Sequence, residues 1–349
     1  MQEVTFTLQT ITPLFMAGTD QAAAELRAPS FRGLMRYWLR ALVGGMTGTD
    51  RSGLEEVMKA ETRVFGATDT GSAVAVRVSN ISSEPKEFTE RTSIPVGGQW
   101  QATGKDYLLW SMARSGKEGK NFKPARWYFA PGTRFQVTLS TREKGDRRLQ
   151  QAIASFWLLT YLGSVGSRSR RCAGSIMVQS VQGNTTDFRF EKARNVEDLQ
   201  TMLKQGIELA RQAYNIKPQP VSDAKFDILA PDTCSIHILY DARQPWLTPD
   251  AAMKAIGESL QDYRRKITPL WKRKIFGLPL RDVSKDRRAS PLLLRLTEIQ
   301  GNQGKRYVGI AVLFKTTGKD PTGSFVSTKD YDLIEQWFNT FSGNLEVTL

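Results

Sequence analysis

The strongest constraint on this chain is the order in which strand-like and helix-like apolar patterns follow one another. Residues 4–12 ("VTFTLQTIT") alternate Val4, Phe6 and Leu8, the period-2 mark of a strand with one buried face. "SFRGLMRYWLRALVGG" follows, with Ser30 as the expected N-cap and Gly44–Gly45 as the expected stop. Phe31, Leu34, Trp38, Ala41 and Leu42 share one face of that helix. Strand patterns over 72–81 and 133–140 come next, then a helix over about 146–161 and a strand over 175–182. Leu149, Ile153, Phe156, Trp157 and Tyr161 form the apolar side of the second helix.

The second half repeats the series. "TCSIHILYD" is a strand, and "TPDAAMKAIGESLQDYRR" is a helix capped by Thr248 with Pro249 at its first position. "SPLLLRLTEI" and "YVGIAVLFK" are strands, "TKDYDLIEQWFNTF" is a helix and "LEVTL" a closing strand. Both halves read βαββαβ, the ferredoxin-like order. The predicted fold is therefore α+β: two tandem ferredoxin-like (βαββαβ, RRM-like) domains, over 1–186 and 227–349. A linking helix capped by Asn195 and an irregular connector join them over 187–226. "RVFG" before "AVAVRV" and "KIFG" before "LLLRL" are a faint echo between the halves.

The interval 82–132 is too long for a simple connection and is expected to be a functional insertion in the first domain. It mixes Lys105, Arg114, Lys117, Lys120, Lys123 and Arg126 with Trp100, Tyr107, Trp110, Phe122, Trp127 and Tyr128. Such a mixture suits single-stranded nucleic acid, which offers phosphates and stackable bases. It equally suits a small satellite core with a solvated face.

Charge sharpens the question of partner. The net charge of +14 and pI of about 9.8 favour polyanions. The cations are also clustered. Arg32, Arg36 and Arg40 form one ridge on the first helix, and residues 30–49 contain no acid. Arg32 lies at the positive end of that helix, a local cost that implies an anionic partner. "YLGSVGSRSRRCAG" at 161–174 sets Arg168, Arg170 and Arg171 beside glycines whose bare N–H groups suit a phosphate. The third cluster is Arg264, Arg265, Lys266, Lys272, Arg273, Lys274, Arg281, Lys285, Arg287 and Arg288, against Asp282 and Asp286.

Several chemistries are disfavoured. The glycine loop lacks the lysine of a P-loop and follows a helix, not a strand. "GSVG" has the G-x-x-G spelling of KH domains, but the element order is different. Neither "TRFQVTLS" nor "YVGIAVLFK" matches the aromatic strand of an RRM. His237 is the single histidine and Cys172 and Cys234 the only cysteines, which leaves no zinc set and no disulfide framework. No cofactor is expected. Asp20 and Glu25 are carboxylates near an arginine-rich helix that could assist metal-dependent phosphoryl chemistry or simply pair with nearby arginines, and a ribonuclease using Asp20 is the alternative function. "MQEVTFTLQT" has no basic n-region or apolar h-region, and a cytoplasmic, membrane-free protein is expected.

"TPLFMAGTDQAAAELRAPSFRGLMRYWLRAL", "RVFG" and "GSVGSRSRRCAGS" resemble the RAMP superfamily of CRISPR proteins. Within it they are most similar to the first RAMP subunits of type III-B (Cmr) effector complexes, and "KIFGLPL…RRASPLLLRL" extends the likeness into the second half. The resemblance implies a non-catalytic subunit of an antiviral ribonucleoprotein. It would bind guide RNA near its 3′ end, help capture or position target RNA, and contact other RAMP subunits. The residues expected to touch RNA are Arg27, Ser30, Arg32, Arg36, Arg40, Gly166, Ser167, Arg168, Ser169, Arg170 and Arg171.

Overall fold

The computed structural model describes residues 2–349 except 21–22, 91–93, 97–98, 118–119, 143–144, 146, 281–282 and 302–303. For 94–96, 99–101, 116–117 and 120–121 it describes the backbone only. Arg281, Asp282 and the side chains of Trp100, Lys117 and Lys120 thus lie outside the described residues.

Two four-stranded antiparallel sheets organise the chain. The first contains β1 (Gln2–Thr10), β2 (Ala75–Ser79), β3 (Arg134–Thr141) and β4 (Ile176–Gln182), in the order β4-β1-β3-β2. The second contains β5 (Cys234–Tyr240), β6 (Leu292–Ile299), β7 (Arg306–Phe314) and β8 (Gly343–Val347), in the order β6-β7-β5-β8. In each set the first and third strands are central neighbours: Val4 faces Leu139 and Ile236 faces Val312. The helices are α1 (Ala28–Thr47), α2 (Arg51–Phe65), α3 (Gly104–Leu108), α4 (Arg147–Leu162), α5 (Val196–Tyr214), α6 (Pro249–Lys266) and α7 (Asp332–Phe338).

Burial explains the patterns. Val4, Phe6 and Leu8 share a core with Phe31, Met35 and Trp38 of α1 and Phe156 and Leu159 of α4. The second sheet is covered on both faces, so β6 and β7 read as nearly unbroken apolar runs. Alternation divides them between two cores. Leu292, Leu294, Leu296, Ala311 and Leu313 pack with α6 and α7. Leu293, Ile310, Val312 and Phe314 join the core that holds Trp38 and the first sheet. The two halves therefore share one apolar interior.

Arg295 crosses that interior. It is fully buried on β6 and donates to the carbonyls of Thr160, in the last turn of α4, and Ile176. A cation at a helix C-terminus meets the negative end of its dipole. Burial lowers its guanidinium to about 10, which still leaves it charged at neutral pH.

Three expectations about α1 and its surroundings need correction. Arg27, not Ser30, is the N-cap, because Pro29 occupies the first helical turn, where a missing N–H costs nothing. Gly44–Gly45 is not the stop: the helix runs to Thr47 and ends at Gly48. Those two glycines instead let residues 226–229 cross the helix closely, with Leu229 N–H donating to Ala41 O at 2.8 Å. Finally, α2 lies where no helix was expected. Asp50 caps it by accepting from Gly53 N–H at 2.8 Å, and Gly66 ends it.

The 82–132 interval folds largely against the second half. Gly104 brings α3 so close to α6 that a side chain there would strike Lys254 O and Glu258 N. Lys105 is buried and pairs with Glu90 at 2.6 Å and Asp250 at 3.0 Å. Phe88, Leu108 and Tyr128 enter the second core, while Trp110, Phe122 and Trp127 remain exposed. The satellite-core reading fits the first group, while the second leaves its rings open to solvent.

Candidate nucleic-acid interface

The α1 ridge has a counter-charge that its own sequence neighbourhood lacks. Glu61 of α2, with only 12% of its side chain exposed, accepts from Arg36 Nε at 2.5 Å and Arg40 Nη1 at 3.2 Å. Arg36 also donates to Gly66 O at 3.3 Å. Arg32, at the outer end of the ridge, is exposed. Arg27 is half-buried and lies 3.5 Å from Glu25; Ser30 is half-buried beside it.

The glycine-rich loop is held down by the chain itself. Ser167 N–H donates to Phe15 O at 2.6 Å, Gly174 N–H to Pro13 O at 2.8 Å and Cys172 N–H to Leu294 O at 2.8 Å. These three donors are occupied within the protein and do not contribute to a phosphate nest. The glycine at 174 serves a close backbone crossing inside the protein. Gly166 and Ser169 are half-buried and Ser167 is exposed.

Its arginines reach outward from the loop to four other segments. Arg168 donates to Leu108 O at 2.9 Å, tying down the insertion. Arg171 donates to Phe276 O at 3.3 Å, and burial lowers its guanidinium to about 10. Arg170 donates to Ser290 O at 2.5 Å and to Asp227 at 2.9 Å, with its guanidinium 5.8 Å from the centre of the Tyr37 ring. Burial opposes the charge on Arg170, but Tyr37 and Asp227 outweigh it and raise its pKa. Tyr37 itself donates to Asp227 at 2.7 Å; burial and then that carboxylate hold its phenol well above the ordinary range.

These interactions bring part of the ridge and part of the loop to one place. Tyr37 and Arg40 of α1, Arg170 of the loop, Lys225 and Phe226 of the connector and Arg288 line a cleft of about 500 Å³. Glu61 and Asp227 are the acids in its wall, and the exposed Leu54 and Met58 of α2 form its rim. Arg288 donates to Tyr331 Oη at 2.7 Å, while its Nη1 has no partner among the described residues. Sequence reasoning missed Tyr37, Phe226 and Asp227, which stand outside the charge clusters. Arg168 and Arg171 are not part of the cleft lining. Four of the ten cations of the third cluster are spent locally: Arg264 on Tyr107 Oη, Arg265 on Asp262, Arg273 on Ile267 O and Lys274 on Asp320.

Asp20 is exposed in the segment between β1 and α1. Among the described residues no group of three His, Cys, Asp or Glu side chains is arranged to hold a metal ion. His237 is buried on β5, bonded to Asn344 at 2.9 Å and packed on Phe338, and burial lowers its pKa. No described helix is long and apolar enough to cross a membrane.

Both cysteines are buried. Burial raises the Cys172 thiol to about 12 and moves that of Cys234 upward as well. Thiolate is the reactive form, so neither should react with a disulfide reagent at neutral pH in the native protein. Both should react in denaturant, and rapid native labelling would contradict the packing of the loop.

Its sequence and its fold together place the chain in a recognised class. A sequence model of the RAMP superfamily matches residues 7–176. The chain is 30% identical over 304 residues to the CRISPR system Cmr subunit Cmr1-1 of Pyrococcus furiosus, spanning 84% of this chain and 81% of that one. It is 35% identical over 193 residues to Cmr1-2 of the same organism, spanning 52% of this chain and 98% of that one. The crystal structure of apo Cmr1 from Pyrococcus furiosus aligns with a TM-score of 0.65 at 25% identity, covering 100% of this chain and 99% of that one. The chain belongs to the Cmr1 family of the RAMP superfamily. A chain of a type III-B Cmr-β complex bound to cognate target RNA shares the fold at 12% identity, with a TM-score of 0.58 and coverage of 96% and 99%.

Proposed function

We propose that this protein is a non-catalytic RNA-binding subunit of a type III-B CRISPR ribonucleoprotein. It binds guide RNA near its 3′ end, helps position target RNA and docks on other RAMP subunits. Each half is read as a ferredoxin-like unit, over 1–186 and 227–349 with 187–226 between them; the strand orders β4-β1-β3-β2 and β6-β7-β5-β8 support that reading. The observation that carries the function is the convergence of Arg40, Arg170, Lys225 and Arg288 with Tyr37 and Phe226 on one cleft. Cations pair with phosphates and rings stack on bases, the combination that single strands require.

RNA runs along the α1 ridge, past Arg27, Ser30, Arg32 and Arg36, and into the cleft at Arg40. Gly166, Ser167 and Ser169 lie along the same path, with Arg170 at its inner wall. Arg168 and Arg171 meet it through their positive field while holding the loop in place.

The test is binding of single-stranded RNA across a salt series. Replacing Arg32, Arg40 and Arg288 by Ala should weaken binding and make the log–log slope shallower by about 0.7 for each phosphate left without its arginine. Unchanged slope in the triple variant would remove the cleft from the interface. Cleavage of labelled RNA with Mg²⁺ that disappears in Asp20→Ala would replace a binding subunit with a nuclease.

A further inference from the structure

The second half carries another groove that the interface above does not use. It lies between the 3₁₀ turn Leu270–Phe276 and the short ladder and turn around Phe325 and Lys329, and encloses about 840 Å³. Trp271 is 55% exposed and Phe325 is 70% exposed, although both are large apolar rings. They come from segments 54 positions apart in the chain and line the same groove. Leaving one such ring in water is common; leaving two on one concavity marks a binding surface.

The charges around the rings identify the occupant. Lys272 sits 6.0 Å from the centre of the Trp271 ring, and Lys329 is exposed on the opposite wall. Neither has a carboxylate partner among the described residues, whereas the nearby Lys274 is neutralised by Asp320 at 2.9 Å. Asp330, the acid in the lining, is occupied in capping Ser327 through bonds of 2.7 and 2.8 Å. Protein interfaces are depleted in lysine and enriched in arginine, so two such lysines beside two rings fit a protein partner poorly. They fit a single strand of RNA, whose bases stack on aromatic faces while lysines meet its phosphates. Lys285 and Arg287, exposed on the hairpin that also supplies Val283, flank the exposed Asp286 and leave one net positive charge at that end.

We propose that the Trp271–Phe325 groove is a second, sequence-tolerant binding site for single-stranded RNA, engaging it by stacking. The proposal rests on the RNA-binding reading above and adds a site remote in sequence from the α1 ridge.

The experiment uses the full chain and a fluorescent single-stranded oligouridylate, with a duplex RNA of the same length for comparison. Trp271→Ala with Phe325→Ala should weaken single-strand binding by about tenfold or more, since one stacked base is worth about 1–3 kcal/mol. Duplex binding and the salt slope should be unchanged, because stacking is removed and phosphate pairing is not. Trp271→Phe should recover most of the affinity. Lys272→Ala with Lys329→Ala should make the slope shallower by about 0.7 for each phosphate left unpaired. Wild-type affinity in the double aromatic variant would overturn the groove while leaving the ridge and cleft intact. If that variant binds RNA normally but no longer co-purifies with the other subunits of the assembled complex, the groove is a protein-docking surface and the proposal fails. A wild-type chain that binds no RNA, alone or assembled, would overturn both readings.

Discussion

Replacing Gly174 with alanine should destabilise the chain by about 2–5 kcal/mol. Two costs add. Gly174 has φ +64°, and an L-residue in left-handed backbone costs roughly 1–2 kcal/mol. Its new Cβ would also fall on Val165 O, a main-chain atom that cannot swing away, and overpacking of this kind costs about 1–3 kcal/mol. Neither side of the crossing is free to yield. Val165 N–H donates to Gly174 O at 2.9 Å, and Gly174 N–H donates to Pro13 O at 2.8 Å. Gly132→Ala separates the two costs. Gly132 has φ +93°, but the nearest atom to its Cβ would be Gln9 Nε2 at 3.9 Å, so that variant should lose only the conformational part. Urea midpoints of the two variants are the measurement. Equal losses would mean that the close crossing contributes nothing. A larger loss at Gly174 would also explain why the loop is glycine-rich without any need for a phosphate at its backbone.

That loop marks the boundary of what the sequence discloses. Periodicity locates the eight strands of the two sheets, because in each the alternate apolar positions turn towards a core, even in β2, where Val76 and Val78 are only partly buried. Thr248 before Pro249 correctly marks the start of α6, where the threonine accepts from Ala251 N–H at 3.1 Å. The same kind of signal misleads at α1, since the glycine pair there answers to the segment crossing the helix and not to its end. Helix α2 escapes notice because Val57, Ala60, Val64 and Phe65 form a thin apolar stripe among charged residues. With α2 goes Glu61. The ridge of Arg32, Arg36 and Arg40 looks unopposed because its acid is 21 to 25 positions away on another helix. Local sequence can reveal a cluster of cations, but their counter-charges depend on packing between elements. Likewise, Arg168, Arg170 and Arg171 are legible as a group, while the carbonyls they reach belong to segments 60 to 120 positions distant.

Asp227→Ala separates the two roles that Arg170 combines, since they respond in opposite directions. The carboxylate accepts from Tyr37 Oη at 2.7 Å and from Arg170 at 2.9 Å, with side-chain exposures of 19% for Asp227 and 27% for Arg170. Its removal strands a guanidinium and a phenol that are mostly out of water. Breaking a fully buried pair costs about 3–5 kcal/mol, and residual hydration here reduces that to about 2–3 kcal/mol. Thermal and urea unfolding should report that loss. RNA binding should move the other way. The cleft gains one positive charge and Arg170 gains freedom to turn towards a phosphate, so affinity should rise and the salt slope should steepen by about 0.7. Asp227→Asn keeps an acceptor for Tyr37 and should recover part of the stability while retaining the gain in RNA binding. A loss of stability with no change in slope would confine Arg170 to holding the connector against α1, and within the cleft the RNA path would then rely on Arg40, Lys225 and Arg288.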